Sequence, residues 1–294
     1  MEEFRLTDRE FQLFRRLIQA EAGIALGEHK RELVRSRLAR RLRVHGCRTF
    51  QEYYDRLTAG ELGEDERVRL LNAITTNKTD FYREKAHFDF LAAKVVPGLK
   101  AASAKTGERR IRIWSAGCST GEEPYTIAIT LRESLGNLLT WDLRILASDI
   151  DTDVLEQAAR GIYPAERVAE LPKGILQCYF RRGTGSHSGM VQVEEEVRRL
   201  VTFRRINFLE DPWPIRVVFD CIFCRNVMIY FDKATQRRLV ERFAGCLKDG
   251  GYLFLGHSES LFGTSDQFTF LHNTIHRKSG TGLAAGRQTV EARA

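Results

Sequence analysis

Residues 110 to 135 constrain the fold of this chain more than any other stretch. Arg110 to Trp114 is a predicted strand, Ser115-Ala116-Gly117-Cys118-Ser119-Thr120-Gly121 a small-residue loop, and Glu122 to Leu135 a predicted helix. A strand that runs into a glycine loop and then a helix is how an α/β sheet lets a nucleotide-like ligand approach backbone. The alternation continues downstream. Leu143 to Ala147 is a second strand that ends at Asp149, and Asp151 is placed to cap the helix running through Ala159. Val217 to Cys224 is a nearly continuous apolar run, as in a strand buried on both faces. A helix from about Lys233 to Leu247, a Lys248-Asp249-Gly250-Gly251 turn and a strand from Tyr252 to Gly256 follow. This order predicts a mostly parallel sheet with helices on both faces. Between Gly161 and Phe203 the repeat breaks. There, Tyr179-Phe180, a turn with Gly183, Gly185 and Gly189, and Met190 to Val193 predict an antiparallel hairpin inserted on the sheet.

Residues 1 to about 75 follow a different period. Thr7 with Glu10 forms a capping box, and Phe11, Phe14 and Ile18 then share one helical face, with Gly23 and Gly27 closing the segment. The next helix carries Val34, Leu38 and Leu42 at i, i+4 spacing, with Arg40 and Arg43 on the opposite side and Arg37 flanking the stripe. Thr49 with Glu52 repeats the capping signal ahead of Tyr53, Tyr54 and Leu57. At 294 residues the chain can form two cores. The division expected is an all-α unit over 1–80 with a basic helix, a linker helix over 81–108, and an α/β unit over 109–278. The β insertion falls at about 161–203, and residues 279–294, rich in Gly and Ala, form a disordered tail.

The loop also says which ligand. Glu122 and Glu123 open the helix where a dinucleotide would place its pyrophosphate, and two carboxylates there repel it. S-adenosylmethionine has no phosphate and carries an ammonium and a sulfonium, so acid at this loop favours it over NAD or ATP. The same glutamates also suit a helix first turn, where they stabilise the dipole. Asp149, at the end of the second strand, can accept both ribose hydroxyls, whereas Asp151 reads as a helix cap. A charged Arg225 directly after a buried strand is hard to explain without a ligand. Cys221 and Cys224 lie three apart in a strand, hence on opposite faces, and read as core residues rather than as a metal or redox pair. His257 has no metal-spaced partner and receives no role.

Composition narrows the setting. The N-terminus has no basic segment leading into an apolar one, and no apolar run approaches the roughly 18 residues needed to cross a bilayer. Six scattered cysteines in a chain of this size favour a reducing compartment, so a cytoplasmic protein is expected, not one embedded in a membrane. The net charge of +7 points to an acidic partner, and the densest cationic stretch is Lys30 to Arg48, interrupted only by Glu32.

Four segments taken in order carry a resemblance. Thr76-Asn77-Lys78-Thr79-Asp80-Phe81-Tyr82-Arg83-Glu84, then Trp114 to Tyr125, then Ala147-Ser148-Asp149-Ile150-Asp151, then Phe223-Cys224-Arg225-Asn226-Val227-Met228-Ile229-Tyr230-Phe231 resemble the chemotaxis receptor methyltransferases, the CheR family, over roughly residues 5 to 278. The resemblance implies a Rossmann-like S-adenosylmethionine-dependent methyltransferase domain with a small antiparallel β insertion, preceded by an all-α domain. It implies a protein-glutamate O-methyltransferase that forms glutamyl methyl esters on chemoreceptor helices. Asn77, Thr79 and Arg83 match the family's cofactor-contacting stretch, and Glu123 and Asp149 its acidic ligands, beside Gly117 of the loop. Asn207, Phe208, Arg225 and Asn226 match residues around adenosine and methionine. Phe208 equally suits plain core, and Asn207 a strand end. Tyr230 matches a tyrosine near the transferred methyl, and Arg83 is assigned to orient the acceptor.

The partner implied is the acidic helical bundle of a receptor, met by Arg37, Arg40, Arg41 and Arg43, although a solvated helix face explains these equally well. In some relatives the inserted hairpin binds the receptor's C-terminal tail. Where this chain has Cys118, some relatives have alanine, and a thiol there is open to altered packing against the cofactor or to oxidation. Rival readings are a same-fold methyltransferase acting on nucleic acid and a non-catalytic receptor-binding adaptor. The first lacks the Asn/Asp-Pro-Pro-Tyr type loop and an aromatic, basic stacking platform. The second has to explain why the matching cofactor positions are intact.

Overall fold

A computed structural model describes residues 4–136, 140–261 and 265–280. Most of the expected tail therefore lies outside the described residues.

The helical unit forms where the caps dictate. In helix α1 (Asp8–Ala22) the Glu10 backbone N–H donates to Thr7 Oγ1 at 3.3 Å, and Glu10 Oε2 accepts from the Thr7 N–H at 2.8 Å. Phe11, Phe14 and Ile18 are fully buried, and Gly23 ends the helix at φ +73°. A side chain at Gly23 would meet the Phe231 ring at 3.0 Å, so its absence lets the helical unit close onto the α/β unit. Helix α2 (Arg31–Val44) buries Val34, Leu38 and Leu42 against α3 (Phe50–Thr58) and α4 (Glu64–Ile74). The four arginines assigned to the partner divide into two pairs. Arg37 donates to the last carbonyls of α4, at 3.2 Å to Ala73, at 3.0 Å to Ile74, and also to Thr75. Arg41 pairs with buried Glu66, which also accepts from Tyr53 Oη at 2.7 Å. Arg40 and Arg43 are exposed.

A helical segment, α5 (Ala86–Phe90) passing through a π-turn into α6 (Val96–Thr106), leads to the sheet. Then come β1 (Arg110–Ala116), α7 (Glu122–Leu135), β2 (Asp142–Asp149) and α8 (Thr152–Arg160), the last capped by Asp151. Next are β3 (Ile162–Pro164), α9 (Lys173–Tyr179), β4 (Phe180–Arg182), β5 (Met190–Val193) and α10 (Glu195–Arg198). The chain continues with β6 (Val201–Arg205), β7 (Phe219–Cys224), α11 (Lys233–Cys246), β8 (Leu247–Leu255), β9 (Phe268–His272) and β10 (Ile275–Lys278). The main sheet has the order β6-β2-β1-β7-β8-β10-β9, parallel except where β10 pairs. From β1 the strands step outward through β2 to β6 on one side, and from β7 through β8 on the other, where β10 intervenes before the edge strand β9. The carboxyl ends of β1 and β7 are thus the switch point, where open α/β sheets bind ligands.

Three details differ from the sequence reading. Val217 and Val218 are exposed, because pairing starts only at Phe219, opposite Leu247. The Lys248-Asp249-Gly250-Gly251 turn lies inside β8 as a bulge, the register passing from Phe219↔Leu247 to Cys221↔Tyr252 with Gly250 at φ +75°. The hairpin β4–β5 does not sit on the main sheet. It takes β3 as a third strand and forms a separate sheet in the order β3-β5-β4, with Pro164 on an edge strand, where its missing N–H breaks no ladder. Cys221 and Cys224 do face opposite sides, one in each of the two cores flanking the sheet.

Candidate functional site

At the switch point lies a cavity of about 420 Å³, within the usual size for a small-molecule site. Its walls include Asn77, Thr79, Arg83, Gly117, Glu123, Asp149, Asn207, Phe208, Arg225, Asn226 and Tyr230, so every cofactor and catalytic position named from sequence reaches one space. Residues 22 to 33 of the helical unit supply a further wall, including His29 and Lys30.

The loop after β1 is built by backbone contacts. The N–H groups of Gly117 and Cys118 both donate to Ser148 O, at 2.7 and 2.9 Å, fastening the loop to β2. Gly117 sits at φ +88°, and a Cβ there would lie 2.3 Å from Val227 Cγ2, so both conformation and space require glycine. Cys118 turns into the core rather than the cavity; its thiol is buried, and burial pushes its pKa well above the ordinary range. A thiolate available for oxidation is therefore disfavoured.

The two glutamates at the start of α7 separate. Glu122 faces away from the cavity, accepting from Thr120 Oγ1 at 2.6 Å and pairing with Arg167 at 2.7 Å. Glu123 faces in, held by Ser115 Oγ at 2.7 Å and Arg225 at 3.0 Å. Burial raises the Glu123 pKa, with Arg225 and then Ser115 opposing. Asp149, at the end of β2, accepts from the Ser119 N–H at 2.8 Å and the Asp151 N–H at 3.1 Å. Burial nevertheless pushes its pKa up to about 6. Asp151 caps α8 through Oδ1, while Oδ2 accepts from Asn77 and Thr75, both at 2.7 Å.

Several neighbours also serve the frame. Asn207 donates to Glu21 O at 2.6 Å, tying the helical unit to the cavity rim. Phe208 is part of an aromatic cluster with Trp114, Trp213 and Phe243 while still touching the cavity. Arg83 donates to Lys78 O at 2.9 Å. Burial raises the pKa of Tyr230. Arg225 proves to have protein partners that sequence did not suggest. Its guanidinium bridges Glu123 and Glu84, at 3.0 and 3.2 Å, donates to the Arg83 carbonyl, and lies 5.3 Å from the Phe88 ring centroid. Two carboxylates account for its burial without a ligand.

Glu84 and Glu259 escaped sequence reasoning because their partners are distant in the chain. Buried Glu259 accepts from the N–H groups of Gly256 at 2.6 Å, Asn226 at 2.9 Å and Ile229 at 3.3 Å, fixing the loop that carries Asn226 and Tyr230. His257 stands beside Glu84 and His87, and the ligand-type atoms of all three lie within 4.8 Å. Arg225 already supplies the positive charge at that carboxylate, its Nη2 3.2 Å from Glu84 Oε2, while Arg225 Nε, Glu84 Oε2 and His87 Nδ1 make no hydrogen bond. The group is therefore organised around a guanidinium.

A family model described as "CheR methyltransferase, SAM binding domain" matches residues 77–277, and one described as "CheR methyltransferase, all-alpha domain" matches residues 9–75. The chain belongs to the CheR methyltransferase family. It is 46% identical over 275 residues to chemotaxis protein methyltransferase 2 of Pseudomonas aeruginosa, covering 94% of this chain and 95% of that one. It is 44% identical over 274 residues to the chemotaxis protein methyltransferase of Salmonella typhimurium, covering 93% and 91%. The Escherichia coli protein of that name is 43% identical over 279 residues, covering 95% and 93%. The N-methyltransferase NodS of Bradyrhizobium japonicum, solved with S-adenosyl-L-homocysteine, is similar at 14% identity and a TM-score of 0.29 over 54% of this chain and 58% of that one. As in the family, the α/β unit is an S-adenosylmethionine-binding domain. Among the described residues no helix is long and apolar enough to cross a membrane.

Proposed function

We propose that this CheR-family chain transfers the methyl group of S-adenosylmethionine to glutamate side chains of chemoreceptor helices, forming glutamyl methyl esters. The observation that carries the reading is one cavity in which buried acids, Glu123 and Asp149, share walls with Arg83, Tyr230 and the helical unit, in a chain so similar to chemotaxis methyltransferases. When bound, the cofactor supplies an electrophilic methyl on a positively charged sulfur. Asp149 suits its ribose hydroxyls and Glu123 its ammonium, with Asn77, Thr79, Gly117, Asn207, Phe208, Arg225 and Asn226 completing the walls. The chain divides in this reading into a helical unit to about residue 80, a linker helix, and a methyltransferase unit over 109–278.

No general base is required of the protein. A glutamate acceptor titrates near 4.3 in water and is already an anion at neutral pH. The chain's task is to bring that carboxylate to about 3 to 3.5 Å from the methyl in line, and to remove its water. Arg83 orients the acceptor and Tyr230 positions the methyl end, while His29 and Lys30 add basic side chains on the wall from the helical unit. Docking on an acidic helical bundle falls to Arg40 and Arg43. Arg37 and Arg41 contribute by holding α2, since their guanidiniums are committed to α4 and Glu66. Docking of a receptor tail along the edge of the small sheet belongs to the same reading.

Incubation with tritiated S-adenosylmethionine and chemoreceptor-bearing membranes tests the assignment. Alkali-labile label on a receptor-sized band is expected, with a loss of at least tenfold in Arg83→Ala and Tyr230→Phe. Label that resists alkali or appears on nucleic acid refutes the ester, and wild-type rates in both variants refute the two roles.

A further inference from the structure

Glu84 does not line the cavity, yet it is a partly buried acid, its side chain 9% exposed, tied to two residues that do. Its Oε2 lies 3.2 Å from Arg225 Nη2, and its Oε1 accepts from Asn226 Nδ2 at 3.4 Å and from the His257 N–H at 3.3 Å. The residue sits at φ +57°, a region that a non-glycine residue holds only when its surroundings over-determine it. On the other side Arg225 Nη1 reaches Glu123 Oε2 at 3.0 Å. One guanidinium is thus shared between two carboxylates. Without Glu84, the nearest partner for Arg225 would be Glu123 alone, and the pair would be neutral.

We infer that Glu84 sets the charge of the cofactor site: the Glu84–Arg225–Glu123 triad carries a net −1 that favours the sulfonium form of the cofactor over its demethylated product. S-adenosylmethionine carries an ammonium, a sulfonium and a carboxylate, a net +1. S-adenosylhomocysteine lacks the sulfonium and is net neutral. The two ligands differ only in that methyl and its charge, so contacts common to both cancel in the ratio of their affinities. For a charge on the order of 10 Å from the sulfur, at an effective dielectric near 20, its removal would change such a ratio by on the order of tenfold. Glu84 thereby acts through Arg225 on ligand selection without touching the ligand. The inference rests on the cofactor site described above and goes beyond it.

Calorimetry with each ligand at pH 8, above the ordinary histidine range, tests it. Glu84→Gln keeps the shape and loses the charge; the ratio of S-adenosylmethionine to S-adenosylhomocysteine affinity should fall about tenfold relative to wild type. Glu84→Asp keeps the charge and should hold the wild-type ratio. Glu84→Ala removes the same charge without leaving an amide and should lower the ratio by a similar factor even where absolute affinities fall. An unchanged ratio in Glu84→Gln, with both ligands weakened alike or neither, overturns the inference. Should Glu84→Gln not fold, Glu84→Ala decides: a ratio fallen about tenfold supports charge setting, and a wild-type ratio overturns it. Wild-type protein that binds neither ligand removes the cofactor reading itself, which is a separate outcome.

Discussion

Asp149→Asn should make the ligand-free protein more stable while abolishing tight cofactor binding. Asp149 is 9% exposed, and burial raises its pKa from 3.8 to about 6. The folded state therefore holds this proton more tightly than the unfolded chain does. Stability from this group is greatest where it is protonated, and it is lost as pH rises from about 4 through about 6. At neutral pH, ionising Asp149 in the folded protein costs about 3 kcal/mol. Asparagine removes that charge but has one acceptor where Asp149 uses two, for the Ser119 and Asp151 N–H groups. The lost bond costs about 1–2 kcal/mol. A net gain of about 1–2 kcal/mol remains, worth a few degrees in Tm. Thermal melts at pH 7.5 and pH 5, with and without S-adenosylhomocysteine, measure it. The variant should melt higher than wild type at pH 7.5. That advantage should shrink to near zero by pH 5, where about half of the ionisation cost is gone. The ligand should raise the Tm of wild type alone. A variant less stable than wild type at pH 7.5, or an advantage that does not change with pH, would refute the buried-charge reasoning.

Glu66→Ala should destabilise the chain by about 3 kcal/mol in denaturant unfolding, because it leaves Arg41 and Tyr53 Oη without their buried partner; a loss below about 1 kcal/mol would show that water replaces the carboxylate. Arg40→Glu with Arg43→Glu, at exposed positions of α2, should slow receptor methylation several-fold at low salt and leave S-adenosylhomocysteine affinity unchanged. Equal turnover at low salt would move docking away from this helix face.

Caps, periods and turn chemistry made most elements legible in advance, because each depends on residues close together in the chain. The Thr7–Glu10 box and the 110–135 segment need only their own neighbours to be understood. The bulge in β8 was missed because Lys-Asp-Gly-Gly is also a good turn, and only pairing with β7 keeps it in the sheet. The third strand of the small sheet was missed because three residues ending in proline carry little strand signal of their own. Glu122 and Glu123 are chemically identical neighbours, and nothing local says which faces the ligand. Helix phase sends one to Arg167 and the other to Arg225.

By itself, the sequence determined a strand–glycine loop–helix unit, an acid after the second strand and a basic helical unit ahead of them. Only the tertiary structure brought Glu84 to Arg225 and Glu259 to Asn226, and committed Arg37 and Arg41 to internal partners. The physical reason is that caps and backbone conformation are settled within a few residues. A buried charge is settled by whichever opposite charge the folded chain delivers, 141 residues away for Glu84 and 25 for Arg41.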